Sequence, residues 1–284
     1  MASEDPNEQR AELLDHWDLA SVGWARRAGR VRDSGMPVSV WMVEHLAPAP
    51  GERVLELAAG PGDTGFMAAE LIGPTGRLVS SDASERMLAI ARSRAQAQGI
   101  ENVEFAALQL EWIDLETASV DAILCRWGVM LSIDPGAALQ ECRRVLRPGG
   151  RLALAVWDAV ERNPWATIPN SALVHLGHAS PPEPGAPGPF ALSAPGRLEE
   201  MLAEAGFVET VVEAVAVDRF YDGFEDFLDE TLDLSFTFGS VWARLSDSQQ
   251  SELMRELESR AAPYTAADGS LRLPGSSLVA LAQA

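Results

Sequence analysis

The chain has 284 residues, with 22 basic against 42 acidic side chains and a formal net charge of −20. A surface of that sign repels phosphate, so DNA, RNA and anionic membrane are excluded as expected partners. All 22 basic residues are arginine. Without lysine there is neither a Schiff base nor a P-loop, which removes pyridoxal phosphate, class I aldolase and Walker-type nucleotidase chemistry.

Hydrophobic content of 47% is ordinary for a globular protein. The polar start Met1-Ala2-Ser3-Glu4-Asp5-Pro6 lacks the basic and apolar regions of a signal peptide. No apolar run reaches the roughly 18 to 20 residues that span a bilayer, and a cytoplasmic location is expected. Cys125 and Cys142 read as reduced thiols, and four histidines with two cysteines make a metal site unexpected.

Two amphipathic helices are predicted at 8–22 and 36–47. Val54 to Leu57 is the first strand, followed by a glycine-rich turn and a helix from Phe66 to Leu71. A second strand, 77–81, ends at Asp82. Ser84 caps a helix carrying Met87, Leu88, Ala91 and Ala95 on one face and stopping at Gly99. Strands follow at 103–107 and 120–125, then a helix at 135–145 closed by Pro148-Gly149-Gly150. The fifth strand, 152–157, is nearly all apolar, as a strand buried on both faces must be. Beyond it come a helix at 163–178, a stiff loop at 181–189 with five prolines, a helix at 198–205 and a strand at 207–217. Helices at 224–234 and 247–260 precede a last strand at 276–281.

This alternation predicts an α/β fold, a Rossmann-like, seven-stranded, mostly parallel sheet with helices on both faces. N-terminal helices and inserted helical lid segments are added to it. The expected division is an N-terminal cap at 1–48, a cofactor-binding core at 49–158 and a lid insert at 159–194. The core resumes at 195–221, a helical insert at 222–270 covers the substrate site, and 271–284 supplies the last core strand. Ligands of such sheets sit beyond the carboxyl ends of the strands, which singles out Glu56–Gly62, Asp82, Gln109 and Cys125–Trp127.

Gly60-Pro61-Gly62-Asp63-Thr64-Gly65 is literally G-x-G-x-x-G, the spacing of a dinucleotide site. Glu56 and Asp63, however, would face a pyrophosphate. At ~4 Å and an effective dielectric of ~20, each such charge pair costs on the order of 4 kcal/mol. S-adenosylmethionine carries a sulfonium and an ammonium and no phosphate, so the local sign of charge favours it.

Four segments in order resemble the class I S-adenosylmethionine-dependent methyltransferases, in particular their UbiE-like (ubiquinone/menaquinone-biosynthesis) branch. They are Glu56-Leu57-Ala58-Ala59-Gly60-Pro61-Gly62, Ser81-Asp82-Ala83-Ser84-Glu85-Arg86-Met87, Gln109-Leu110-Glu111 through Ser119-Val120-Asp121, and Arg143 through Leu152 around Pro148-Gly149-Gly150. The likeness covers roughly residues 50–160. It implies S-adenosyl-L-methionine as cofactor, with S-adenosyl-L-homocysteine as product.

It also implies roles. Backbone at Ala58, Gly60 and Gly62 lies along the methionine and ribose, and Glu56 orients that loop and reaches the ammonium. Asp82 accepts from the ribose hydroxyls, and Ala83 and Met87 flank the adenine. Gln109 and Leu110 read its edge, while Cys125 and Arg126 contact the methionine moiety. The family more often has glycine at Ala58 and aspartate at Gln109, which makes backbone approach and adenine recognition the two departures.

Methyl transfer needs alignment and dryness, and a base only where the acceptor loses a proton. His175 and His178, three apart on a predicted helix, are the candidate bases, with His16 beside Asp15 as a second choice. Trp17, Trp24, Trp127, Met130, Trp157 and Phe224 are the candidate substrate pocket. Trp41, Trp165, Phe220, Tyr221, Phe227, Phe236 and Phe238 add apolar surface that serves either the pocket or the packing of the lid. The expected acceptor is an aromatic, quinone-like or polyketide-like metabolite, with O-methylation ahead of C- or N-methylation. No nucleic acid or membrane span is expected, and a homodimer is the assembly allowed for. Two rivals stay open: an NAD-dependent oxidoreductase, and a relative of the fold that binds the cofactor without transferring a methyl group.

Overall fold

The computed structural model describes residues 5–181 and 186–284, so positions 182–185 of the predicted proline-rich loop lie outside the described residues. In chain order the elements are α1 (Pro6–Leu46), β1 (Arg53–Leu57), α2 (Asp63–Ile72), β2 (Arg77–Asp82), α3 (Glu85–Gln98), β3 (Val103–Ala107), β4 (Val120–Arg126), α4 (Pro135–Val145) and β5 (Leu146–Trp157). There follow α5 (Pro164–His175), α6 (Arg197–Glu204), β6 (Val208–Ala216), β7 (Arg219–Tyr221), α7 (Phe224–Leu234), α8 (Phe236–Trp242), α9 (Asp247–Ala261), β8 (Leu271–Leu273) and β9 (Ser276–Gln283).

Seven strands form one sheet in the order β3-β2-β1-β4-β5-β9-β6. Strands β1 to β5 pair in parallel, and β9 runs antiparallel to both β5 and β6. The strand order reverses between β1 and β4, and the crevice that ligands use in such sheets lies there. Val54, Leu55 and Ile123, Leu124 are fully buried, as central strands covered on both faces require. Ser84 accepts from the Met87 N–H and Gly99 closes α3 in the left-handed region, so that helix has the ends its sequence predicts. The fifth strand begins earlier than predicted, at Leu146. Its pairing with β4 shifts register between Val120 and Ala122, which absorbs Pro148-Gly149-Gly150.

The N-terminal region differs most from expectation. A single helix of 41 residues replaces the two helices at 8–22 and 36–47, and Pro37 lies inside it. Gly23, Gly29, Gly35 and Pro37 read as breakers, yet two of these glycines stand where another element comes against the helix. A Cβ on Gly23 would lie 1.9 Å from the carbonyl oxygen of Asp233, and one on Gly35 would lie 1.9 Å from Nη1 of Arg126. The last turns bury Val38, Met42, Val43 and Leu46 in the core of the sheet. The middle turns lie against α7, where Arg26 and Arg27 pair with Asp233 at 2.6 Å each and Arg30 pairs with Asp226 at 2.7 Å. Tertiary contacts thus override local propensity.

A second, smaller apolar core is built from α5, α7, α8 and α9 around Ile168, Leu173, Phe227, Phe238, Leu253 and Leu257. Trp165 packs against both cores. β7 and β8 form a separate two-stranded sheet that the sequence pattern did not suggest. Among the described residues no helix is long and apolar enough to cross a membrane.

The seating of α7 on α1 gives a test. Gly23→Ala gains helix propensity worth about 1 kcal/mol, but its methyl group must displace the Asp233 carbonyl. Overpacking against backbone costs about 3 kcal/mol, the upper part of its usual range, and a net loss of about 2 kcal/mol in denaturant unfolding is expected. Unchanged or increased stability would contradict the close contact.

Candidate functional site

The turn after β1 is held from two sides. Glu56, buried next to the last residue of β1, accepts from the Gly65 N–H at 2.6 Å and from Ser80 Oγ at 2.9 Å, so it ties the first turn of α2 to β2. Asp82, ending β2, accepts from the N–H groups of Gly60 and Ser84 at 2.9 Å each. Burial pushes the Glu56 carboxyl up to about 7 against the two hydrogen bonds and the nearby Arg126 charge. Burial also raises Asp82, helped by the charge of Asp18, while its backbone hydrogen bonds act the other way. Asp18 reaches this point from α1, accepting from Ser84 Oγ at 2.5 Å.

Asp63 is not the free carboxylate that the sequence suggests. Its Oδ1 lies 2.5 Å from Arg94 Nη2, and its Oδ2 lies 3.9 Å from Arg126 Nη2. Arg126 ends β4, and its buried Nη1 has no hydrogen-bond partner among the described residues. Burial lowers its pKa, opposed by the charges of Asp63 and Glu56. The guanidinium carbon lies 4.7 Å from the centre of the Trp127 ring.

Past these strand ends opens a cavity of about 480 Å³. One end carries Glu56, Ala58, Gly60, Asp82, Ala83, Met87, Gln109, Leu110 and Arg126 of the predicted cofactor set. Gly62 and Cys125 do not line it. Gly62, at φ +83°, begins α2, and the space where its Cβ would point is filled by the Phe66 ring. Cys125 is wholly buried in the core, where burial pushes its thiol up to about 12. Ala58 adopts φ +50° and Trp127 φ +61°, a region that residues with a Cβ enter at a cost.

The other end is aromatic. Trp17, Trp24, Trp127, Met130 and Trp157 of the predicted pocket line it, and so do Trp165, Tyr221 and Phe236. The Trp127 and Trp157 rings stack at 4.2 Å and 16°, and Trp157 meets Trp165 at 4.7 Å. Phe224 does not line the cavity and packs instead against the second core, where Phe227 and Phe238 also lie. Phe220 is exposed, and Trp41 stacks on His45 away from the cavity.

His175 and His178 do not line the cavity and do not share a helix face. The helix ends at His175, and Gly177 turns the chain at φ +73°. His16 does line it, with its ring 4.3 Å from Phe236 and its pKa lowered by burial.

Two polar residues of the aromatic end were missed. Arg219 on β7 and Glu230 on α7 pair at 3.0 Å, and the Tyr221 hydroxyl donates to the same Glu230 oxygen at 2.8 Å. The aromatic cluster at 220–238 was the available signal, but a three-residue strand pairing with residues 271–273 leaves no local periodicity to read.

A family model described as a methyltransferase domain matches residues 48–206, and the chain belongs to that family. An arsenite methyltransferase of Halobacterium salinarum is 34% identical over 119 residues, covering 42% of this chain and 30% of that protein. A demethylmenaquinone methyltransferase of Lactococcus lactis is 32% identical over 110 residues, 39% of this chain and 44% of that protein. The chain therefore matches less than half the length of either relative. The solved YcgJ protein of Bacillus subtilis shares the fold, with a TM-score of 0.57, 19% identity, and coverage of 86% of this chain and 97% of that one. The UbiE-like class I resemblance and the fold class expected from the sequence are both borne out.

Glu56 predicts a pH dependence. Its folded pKa of about 7 stands above the ordinary 4.5, so its contribution to stability is full below about 4.5 and is lost as pH rises through about 7. The difference corresponds to on the order of 3 kcal/mol. Glu56→Gln should flatten the fall in thermal stability between pH 5 and 8 relative to the parent chain. Parallel curves for the two proteins would contradict a raised Glu56.

Proposed function

We propose that this chain transfers a methyl group from S-adenosyl-L-methionine to a small, largely apolar acceptor, with O-methylation ahead of C- or N-methylation. The observation that carries the reading is the continuity of one cavity from Asp82 and Gln109 to the tryptophans past β4 and β5. The residues present fit the cofactor. Carboxyl groups at Glu56 and Asp82 suit a ligand of net positive charge, and the unpartnered Arg126 Nη1 suits its carboxylate. Gln109 and Leu110 offer hydrogen-bonding groups for an adenine edge, and Ala83 and Met87 offer apolar contact.

When bound, the cofactor supplies an electrophilic methyl carbon and a neutral sulfur leaving group. The chain supplies position and dryness. Glu56 holds the turn in register between β1 and α2, and Asp82 holds Gly60. Trp127 and Trp157 offer a flat apolar wall beside the strand ends. Residues of the lid insert 159–194, among them Pro169 and Asn170, and of the insert 222–270, among them Leu234 and Phe236, line the rest of the cavity and exclude water. Where the acceptor is a hydroxyl, His16 is the group placed to take its proton. Burial lowers its pKa, which favours the neutral imidazole, the form that acts as a base. The role first considered for His175 and His178 passes to it. An aromatic or quinone-like metabolite suits the walls, and the acidic surface speaks against a nucleic acid.

Calorimetry tests the reading. S-adenosylhomocysteine should bind and NAD should not. Asp82→Asn should weaken adenosylhomocysteine at least ~tenfold, the scale of a charge-assisted hydrogen bond, with folding checked by thermal unfolding. Tighter binding of NAD than of adenosylhomocysteine would restore the oxidoreductase alternative. Binding of adenosylhomocysteine without label transfer to any phenol, quinol or amine would favour a binding module.

A further inference from the structure

Resting on the cavity reading above, we propose that the acceptor is a planar, uncharged aromatic ketone, with its ring on the tryptophan wall and its carbonyl oxygen on the guanidinium of Arg219.

The wall is a continuous column. Arg126 lies over Trp127, Trp127 stacks on Trp157, Trp157 meets Trp165, and the Arg219 guanidinium lies 3.9 Å from the centre of the Trp165 ring. All five residues line the cavity. The column starts at the carboxyl end of β4, beside the cofactor end, and finishes at Arg219 in the separate sheet β7-β8. Trp127 and Trp157 are parallel within 16° and Trp165 is tilted by 57° to Trp157. Such a wall selects a flat partner, because aromatic rings meet best in offset-stacked or edge-on arrangements.

Arg219 adds direction. Its Nη1 donates to Glu230 Oε1, while its Nε is buried with no partner among the described residues. A second donor lining the same cavity, Nε1 of Trp24 on α1, is also buried without a partner. Unpaired buried N–H groups are costly, and both are relieved by a ligand that brings oxygen lone pairs.

Charge excludes the obvious oxygen anions. Glu230 Oε2 lies 3.4 Å from Arg30 Nε, and Arg30 also pairs with Asp226 at 2.7 Å. Arg26, Arg27, Arg30 and Arg219 are thus matched by Asp226, Asp229, Glu230 and Asp233. A carboxylate ligand would add an unbalanced buried charge next to Glu230, and an ammonium would meet Arg219. A carbonyl oxygen accepts the Nε–H and leaves the balance unchanged. This reach of the cavity is charge-balanced. Among the described residues it holds two donors without hydrogen-bond partners, Arg219 Nε and Trp24 Nε1, and one such acceptor, Glu230 Oε2. A hydroxyaryl ketone brings lone pairs to the donors and a hydroxyl to Glu230.

Tryptophan fluorescence quenching by a matched set decides the matter, measured with and without saturating S-adenosylhomocysteine. The probes are hydroxyfluorenone, hydroxyfluorene, which lacks the ketone, and fluorene carboxylate. The intact chain should bind the ketone at least ~tenfold tighter than the hydrocarbon analogue, and tighter than the carboxylate. Arg219→Lys keeps a cation for Glu230 but loses the planar Nε–H donor. It should erase the preference while leaving the affinities for hydroxyfluorene and adenosylhomocysteine within about twofold of the intact chain. Equal binding of ketone and hydrocarbon, tighter binding of the carboxylate, no binding of any probe, or a preference that survives Arg219→Lys each overturns the proposal. If Arg219→Lys fails to fold, the ratio in the intact chain still decides. Failure of adenosylhomocysteine to bind strikes the methyl-transfer reading alone, because the probe ratio is also read without it.

Discussion

Glu56 is buried next to the last residue of β1, and its two oxygens are committed in different directions, one to the first turn of α2 and one to β2. The cavity takes its shape from that commitment. The opening turn of a helix leaves N–H groups without intrahelical partners, and here a strand-end carboxylate satisfies one of them. The glycine-rich turn is thereby pinned between two strands, and Asp82 pins it again at Gly60 from the other side. The cost is visible in the raised pKa of Glu56. Its neighbourhood holds two acids, Glu56 and Asp63, and two guanidiniums, Arg94 and Arg126.

That balance revises the electrostatic reasoning that first favoured a sulfonium over a pyrophosphate. Asp63 is paired with Arg94 and does not line the cavity, so it does not repel a ligand there. Burial raises Glu56 to about 7, so its charge is a weak ground for excluding an anion at neutral pH. What separates the two ligands is the part of the site that the turn spacing does not describe: Asp82 at the end of β2, Gln109 after β3 and Arg126 at the end of β4, in a family that the match over residues 48–206 identifies. The G-x-G-x-x-G spacing describes how closely a backbone turns, and that requirement is shared by ligands of opposite charge.

The sheet and its helices were legible because their signals are local: apolar runs of strand length, Ser84 and Gly99 at the ends of α3, and Gly-Pro punctuation. Most of the residues predicted for one end of the cavity line it for the same reason, since they follow strands, while Gly62 and Cys125 do not. Three features were not. The continuity of α1 was hidden because glycines chosen for close approach look the same in sequence as glycines that end helices. The histidine pair failed on a single residue, Gly177, which turns the chain between them. Arg219 lies on a three-residue strand whose partner, β8, comes some 50 residues later in the chain, and no periodicity foretells that. The aromatic residues of 220–238 divided between cavity and core, since composition alone does not say which face of a helix is covered.

The two walls of the acceptor end are held by different forces. Trp127 is fixed from the sheet side: its backbone N–H donates to the Ala155 carbonyl at 2.8 Å, and its indole N–H donates to Ser277 Oγ at 3.0 Å. Its φ of +61° is a strain that only such over-determination maintains, and Trp157 stacked on it inherits the rigidity of β5. The facing wall, where α1 meets α7, is joined largely by arginine–carboxylate pairs whose members are partly solvated. Pairs of that kind contribute about 0–1 kcal/mol each and weaken with salt. Precision therefore resides on the sheet side, where a ring must be aligned with the strand ends. The wall joined by ion pairs covers the site without fixing the geometry of the rings opposite it.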